Sequence, residues 1–154
     1  IQKCEVFVTV DGVLKAVVKQ KTPVARVFGS DGSFYVDYEG HKMPLSDNFT
    51  ARVPIVSGTI NKQNNQDLIK VFRYIYDDEF LQKNIIGVEV LPGGSLKMRN
   101  RNFNYVIYFG KTINVDKKFK NYKAFFQKAV QDSLINNYKT VNLKFTQQVV
   151  CTKN

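Results

Sequence analysis

Tryptophan is absent from this sequence of 154 residues, cysteine occurs twice, and histidine once. Cys4, Cys151 and His41 alone cannot furnish a tetrahedral zinc site without several further ligands, so no metal is expected. A lone imidazole also leaves any nucleophile without its usual base. His41 lies in the turn-like stretch Glu39-Gly40-His41-Lys42 and reads as an exposed turn residue. The chain has no G-x-S-x-G, P-loop or H-E-x-x-H pattern. No catalytic residue, cofactor or enzymatic activity is therefore expected. No apolar run approaches the ~20 residues that cross a bilayer. There is no signal-peptide pattern and no initial Met, so the sequence reads as a fragment of a longer protein with a segment removed upstream. The two cysteines leave two readings open: a Cys4–Cys151 disulfide, or two lone buried thiols. They do not fix the compartment.

What the chain does have is aromatic and basic. Twelve Phe, eight Tyr and a hydrophobic fraction of 44% describe a folded globule. Lys plus Arg is 23 against 13 acidic residues, a formal charge of +10, which favours acidic company without choosing its kind. The densest basic group is Lys117, Lys118, Lys120, Lys123 and Lys128, read as a solvated helix face.

The hydrophobic period changes along the chain. Two β-rich runs flank Asp11-Gly12, a type I′ turn signal, and form a hairpin that Pro23 ends. Short strands follow around Asp31-Gly32 and Glu39-Gly40, and then "VPIVSG". Leu68, Phe72, Ile75 and Tyr76 form one helical stripe, with Asn65 or Gln66 at the cap and Asn84 at the end. Asp77-Asp78-Glu79 is the only acidic run. On a helix these three residues point about 100° apart and cannot converge on a metal or a bond. They read as its polar side, paired with Arg73 or Lys83. An antiparallel meander returns with "IIGVEVL", "SLKMRN" and "NYVIYFG". A second helix starts at Asp116 and ends at Asn136-Asn137. A final strand runs through "VNLKFTQQVV", where Val141, Leu143 and Phe145 alternate with polar residues.

This order gives an α+β fold: a mixed, largely antiparallel sheet with two helices packed on one face, preceded by a β-hairpin. The hairpin, residues 1–26, reads as the remnant of an upstream module, and residues 27–154 as the main domain, with the boundary near Val24 to Val27. In "NYVIYFG", Tyr105, Ile107 and Phe109 share one face, and Val106 and Tyr108 the other. That pattern describes a covered central strand and not an RNA-binding platform, so nucleic acid is not expected. A strand at the end of the chain is expected at a sheet edge, with backbone groups free to pair.

Seven features in order, "VDGVLKAVVKQKTPVARVF", "FYVDYEGHKMPL", "VPIVSG", a helix, a meander ending in "VIYFG", a second helix and "VNLKFTQQVV", resemble the extracytoplasmic part of the bacterial division family FtsQ/DivIB. The dense Asn and Lys usage is similar to Bacteroidetes-type members. The resemblance implies that residues 1–26 close a POTRA domain and that residues 27–154 form the β domain. It also implies one transmembrane helix upstream, anchoring the protein in the inner membrane with this region in the periplasm. The implied partners are FtsB-like and FtsL-like membrane-anchored division proteins, bound by β-strand addition at the terminal strand. The implied job is that of a non-enzymatic scaffold helping to control septal wall synthesis. The family's contact positions fall on Lys144, Phe145, Gln147 and Val149. Asn142 stands where the family has Asp, Lys144 where it has Arg, and Phe145 where it has Tyr, so the bidentate fork and the hydroxyl are lost. A plainer role also fits: Phe145 filling the core, with Gln147 and Val149 on a frayed end. An adhesion or assembly module, or a domain binding an anionic polymer, remain the alternatives from other classes.

Overall fold

Alternating strand residues and two amphipathic helical stretches have to share one apolar interior, and the computed structural model, which describes all 154 residues, shows how. In chain order the strands are β1 (Lys3–Val8), β2 (Leu14–Lys19), β3 (Pro23–Gly29), β4 (Gly32–Asp37), β5 (Lys42–Met43) and β6 (Ile55–Gly58). Helices α1 (Asn65–Asp77) and α2 (Glu79–Asn84) follow, then β7 (Ile85–Val90), β8 (Leu96–Asn100) and β9 (Val106–Gly110). Helix α3 (Val115–Gln131), a 3₁₀ turn (Ile135–Asn137), β10 (Tyr138–Asn142) and β11 (Val150–Lys153) complete the chain. Strands β3 to β11 form one nine-stranded sheet in the order β11-β10-β9-β8-β7-β6-β3-β4-β5. The β3–β6, β6–β7 and β9–β10 pairs are parallel and the rest antiparallel. The fold is thus the expected α+β class, with a mixed and mostly antiparallel sheet.

One row of directly opposed residues explains the packing. Phe34, Val27, Val56, Val88, Met98, Ile107, Val141 and Cys151 pair in succession across eight strands. Because opposed residues share a face, this row points to one side of the sheet. Leu68, Phe72 and Ile75 of α1, Leu81 of α2, and Phe119 and Tyr122 of α3 join it in a single buried cluster. Tyr122 accepts a bond from Asn100 Nδ2 (2.9 Å) and shares another with Tyr105 (2.7 Å), so the buried hydroxyls and amide satisfy one another. Desolvation raises both tyrosine pKa values, which keeps the pair neutral.

The hairpin β1–β2 forms its own two-stranded sheet, exposed on both faces. Its turn is not the expected type I′. Of Asp11 and Gly12, only Gly12 has a positive φ (+77°), and five residues, Thr9 to Val13, connect the strands. Val24 and Ala25, on the hairpin side of the expected boundary, are buried in the main core.

Four further expectations are corrected. The single helix to Asn84 is two, because Asp78 is extended (φ −104°, ψ 116°) and caps α2 by accepting the Leu81 N–H (3.0 Å). Lys123 on α3 reaches the same carboxylate at 2.6 Å, so the break clips two helices together. Helix α3 starts after Asn114, left-handed at φ 53°, which leaves Asp116 in the first turn. There Asp116 accepts from Tyr74 (2.6 Å) and Lys120 (3.0 Å). The helix ends at Gln131, not at Asn136-Asn137. The lysine group is not uniformly solvated either. Lys118 is 2% exposed, donates to the Lys111 carbonyl (2.7 Å) and lies 4.8 Å from the Phe109 ring centroid, and burial lowers its pKa. Lys120, Lys123 and Lys128 have carboxylate partners. Finally, β9 is central but covered on one face only, with Val106 and Tyr108 half-buried on the side away from the core row.

Desolvation pushes the Asp78 carboxyl up, but the hydrogen bond from Lys123, the Leu81 N–H and the Lys123 charge together hold it below the ordinary carboxylate value. Its contribution is therefore complete above that value, about 4, and is lost as pH falls through it toward the lower folded value. Asp78→Ala is expected to cost about 1–2 kcal/mol in urea unfolding at neutral pH. The gap from wild type should narrow below about pH 4. A gap that stays constant into acid would contradict this account.

Candidate partner-binding edge

The site begins with β9 and β10. Strand β10 pairs with β9 on one side and with β11 on the other. Pairing continues past β10 as the Leu143 N–H donates to the Tyr108 carbonyl (2.9 Å), and the Leu143 side chain is buried. The chain then turns away from the sheet. Asn142 Oδ1 accepts the Lys144 N–H (2.9 Å), a local side-chain bond that competes with ladder pairing. The Lys144 stem packs on Gly110, where an added Cβ would come 2.8 Å from Lys144 Cγ and where φ is +79°. Two lysine ammonium groups flank the Tyr108 ring, Lys144 at 5.8 Å and Lys97 at 5.5 Å from its centroid.

This corrects the terminal strand. What the sequence presents as one strand through Val150 is two, joined by a turn. Val141 and Leu143 stay on the buried side, whereas Phe145 swings out and is 52% exposed. Lys144, Phe145 and Gln147 line one shallow depression of about 560 Å³ together with Asn114, Thr146 and Gln148. Val149 does not line it and packs, half-buried, against the core. Phe145 does not fill the core. A clamp holds the turn in place: Asn121 Nδ2 on α3 donates to the Thr146 carbonyl (2.9 Å).

Beyond the turn, β11 is the last strand of the sheet, and nothing pairs with its far side. Thr152 meets Thr140 hydroxyl to hydroxyl (2.5 Å), and Asn154 N–H donates to the Asn137 carbonyl (2.9 Å), fastening the C-terminal half of the strand. The open rim therefore belongs to Val150–Lys153, a segment the sequence reading did not separate from its neighbours. Its signal was present: Val149-Val150-Cys151-Thr152 is a β-prone run following the polar Thr146-Gln147-Gln148. The opposite edge, β5, has only two residues and offers little to pair with.

The remaining candidate groups have structural roles. Asp37, buried, accepts the His41 N–H (2.7 Å) and lies 3.6 Å from His41 Nδ1 and 3.8 Å from Lys21, which ties the β4–β5 turn. Glu79 pairs with Lys83 (2.7 Å), and Asp77 accepts from Tyr38 (2.7 Å). No three His, Cys, Asp or Glu side chains gather where they could hold a metal. Both cysteines are free. Cys4 is exposed, and Cys151 is half-buried with its pKa raised by desolvation. No helix is long and apolar enough to cross a membrane.

Replacing Asn121 by Ala should remove the clamp without touching the depression. The expected cost is about 1 kcal/mol, read as faster amide exchange in residues 146–151 with the sheet centre unchanged. Uniform protection across the chain would show that the clamp is idle.

A family model described as FtsQ/DivIB, C-terminal related, matches residues 22–152. No curated protein matches the chain.

Proposed function

The chain belongs to the FtsQ/DivIB C-terminal-related family and so to the proteins of cell division, and from that premise we propose that it is a non-enzymatic scaffold that binds an FtsB-like and FtsL-like pair by strand addition. The family is one of membrane-anchored division proteins with an extracellular domain, and its members work as scaffolds. In this reading residues 1–26 close a POTRA domain, the full protein is held in the inner membrane by an upstream helix, and the present region works in the periplasm on control of septal wall synthesis.

The observation that carries the reading is the unpaired far side of β11. An extended partner segment pairs with the backbone there, and its side chains alternate between sheet faces. Lys144, Phe145 and Gln147 receive side chains at the hairpin end, and Val149 anchors the turn from beneath. A strand of four residues offers about four outward backbone bonds, worth roughly 0.5–1.5 kcal/mol each. Association itself costs about 4–15 kcal/mol. Pairing alone is therefore weak, and two further contributions are required: burial of Phe145, and the high effective concentration of partners tethered to the same membrane.

Phe145→Lys is expected to weaken co-purification with the partner pair at least about tenfold, the equivalent of ~1.4 kcal/mol, while circular dichroism stays unchanged. A folded Phe145→Lys protein that holds the pair like wild type would defeat the assignment. Raising salt from about 50 to 200 mM should weaken strand addition only mildly, whereas binding to a phosphate polymer through six to ten contacts would fall by roughly 10³–10⁵.

A further inference from the structure

Helices cover one face of the nine-stranded sheet, and the opposite face is open over β6–β9, where unpaired cations gather. On the helical face five lysines have carboxylate partners: Lys70 with Asp67, Lys83 with Glu79, Lys120 with Asp116, Lys123 with Asp78 and Lys128 with Asp132. On the bare face Arg26, Lys97 and Arg99 have no carboxylate partner. Arg26 carries the single buried side-chain nitrogen without a hydrogen bond, its Nε.

Between these cations lies a groove of about 400 Å³ spanning β6 to β9. Ile55, Gly87, Arg99 and Val106 stand directly opposite one another across it. Its depth comes from Gly87, which places no side chain in the row. Its floor is apolar, with Ile55 49% exposed although it is a strand residue near the middle of the sheet. Glu89, the cross-strand partner of Lys97, is the one carboxylate in it.

We propose that this bare face is a docking surface for an acidic amphipathic helix of a partner protein, lying across β6–β9 with its apolar stripe on Ile55, Gly87 and Val106 and its carboxylates on Lys97 and Arg99. Three features select this occupant. The backbone groups of these inner strands are used in the ladders, so an extended peptide laid on the face would leave its own backbone unpaired, whereas a helix satisfies its backbone internally. Four strands at roughly 4.8 Å spacing give a width of about 14 Å. That matches a helix of about ten residues at 1.5 Å rise. The exposed apolar floor and Glu89 disfavour a uniform polyanion, which would cover no apolar surface and would meet a like charge. The surface lies apart from the β11 rim, and the inference does not rest on the reading of that rim.

The test uses a synthetic peptide of fifteen residues with Leu and Glu at helical spacing, and a scrambled peptide of the same composition. The ordered peptide should bind the wild-type chain, gain helical circular dichroism and shift the amide signals of β6–β9. Binding should weaken at least about tenfold in Lys97→Glu/Arg99→Glu and in the single variant Arg99→Glu, an exposed position that keeps the fold if the double variant does not. It should be unchanged in Phe145→Lys, which separates this surface from the β11 edge. The proposal is overturned if the scrambled peptide or a heparin fragment binds as well as the ordered one. It is also overturned if Arg99→Glu binds like wild type, if the shifts fall on α3 or β11, or if no binding occurs.

Discussion

Every long-range feature of this molecule is built on the apolar ladder that runs from Phe34 to Cys151 across eight strands. Pairing register and burial impose one another here. Shifting any strand by one residue would turn its ladder residue out to water and bring in its polar or charged neighbour: Arg99 for Met98, or Glu89 for Val88. The three helices then have one apolar surface to cover, and they cover it from one side. That choice leaves the second face of the sheet without helices and open over β6–β9, and it leaves the sheet with two edges. One is cut to two residues at β5, and the other is the four-residue β11.

Much of this was legible in the chain. Gly32 and Gly94 mark hairpin turns and take left-handed φ values there. The Leu68, Phe72 and Ile75 stripe is buried as periodicity requires. What a single-helix reading passes over is partly local and partly decided by partners far away in sequence. On an unbroken helix Leu81 would point about 150° away from the Leu68, Phe72 and Ile75 stripe, while Glu79, Gln82 and Lys83 would fall on it, a local sign of the break at Asp78. The break is fixed by Lys123, forty-five residues later. Lys118 falls in a row of lysines that look alike, yet it alone meets the Lys111 carbonyl and the Phe109 ring.

The candidate edge shows the same division. Alternation of Val141, Leu143 and Phe145 correctly marks a strand, and it gives no hint of where the strand stops. The stop comes from one side chain, Asn142, bonding the Lys144 N–H. Once the chain has turned, Lys144, Phe145 and Gln147 line a depression while Val149 packs against the core, and the unpaired rim passes to β11. The family signal and the physical edge are adjacent, and neither alone describes the surface.

Cys151 closes the apolar ladder on the outermost strand, and its sulfur is half-covered there. A thiol so placed is a gauge of fraying. As long as β11 stays zipped to β10, desolvation keeps the group protonated and slow to react. When the strand lifts, the sulfur meets water and becomes reactive. The tempo at which the margin of this sheet breathes is thus written into the chemistry of one sulfur atom on its outermost strand.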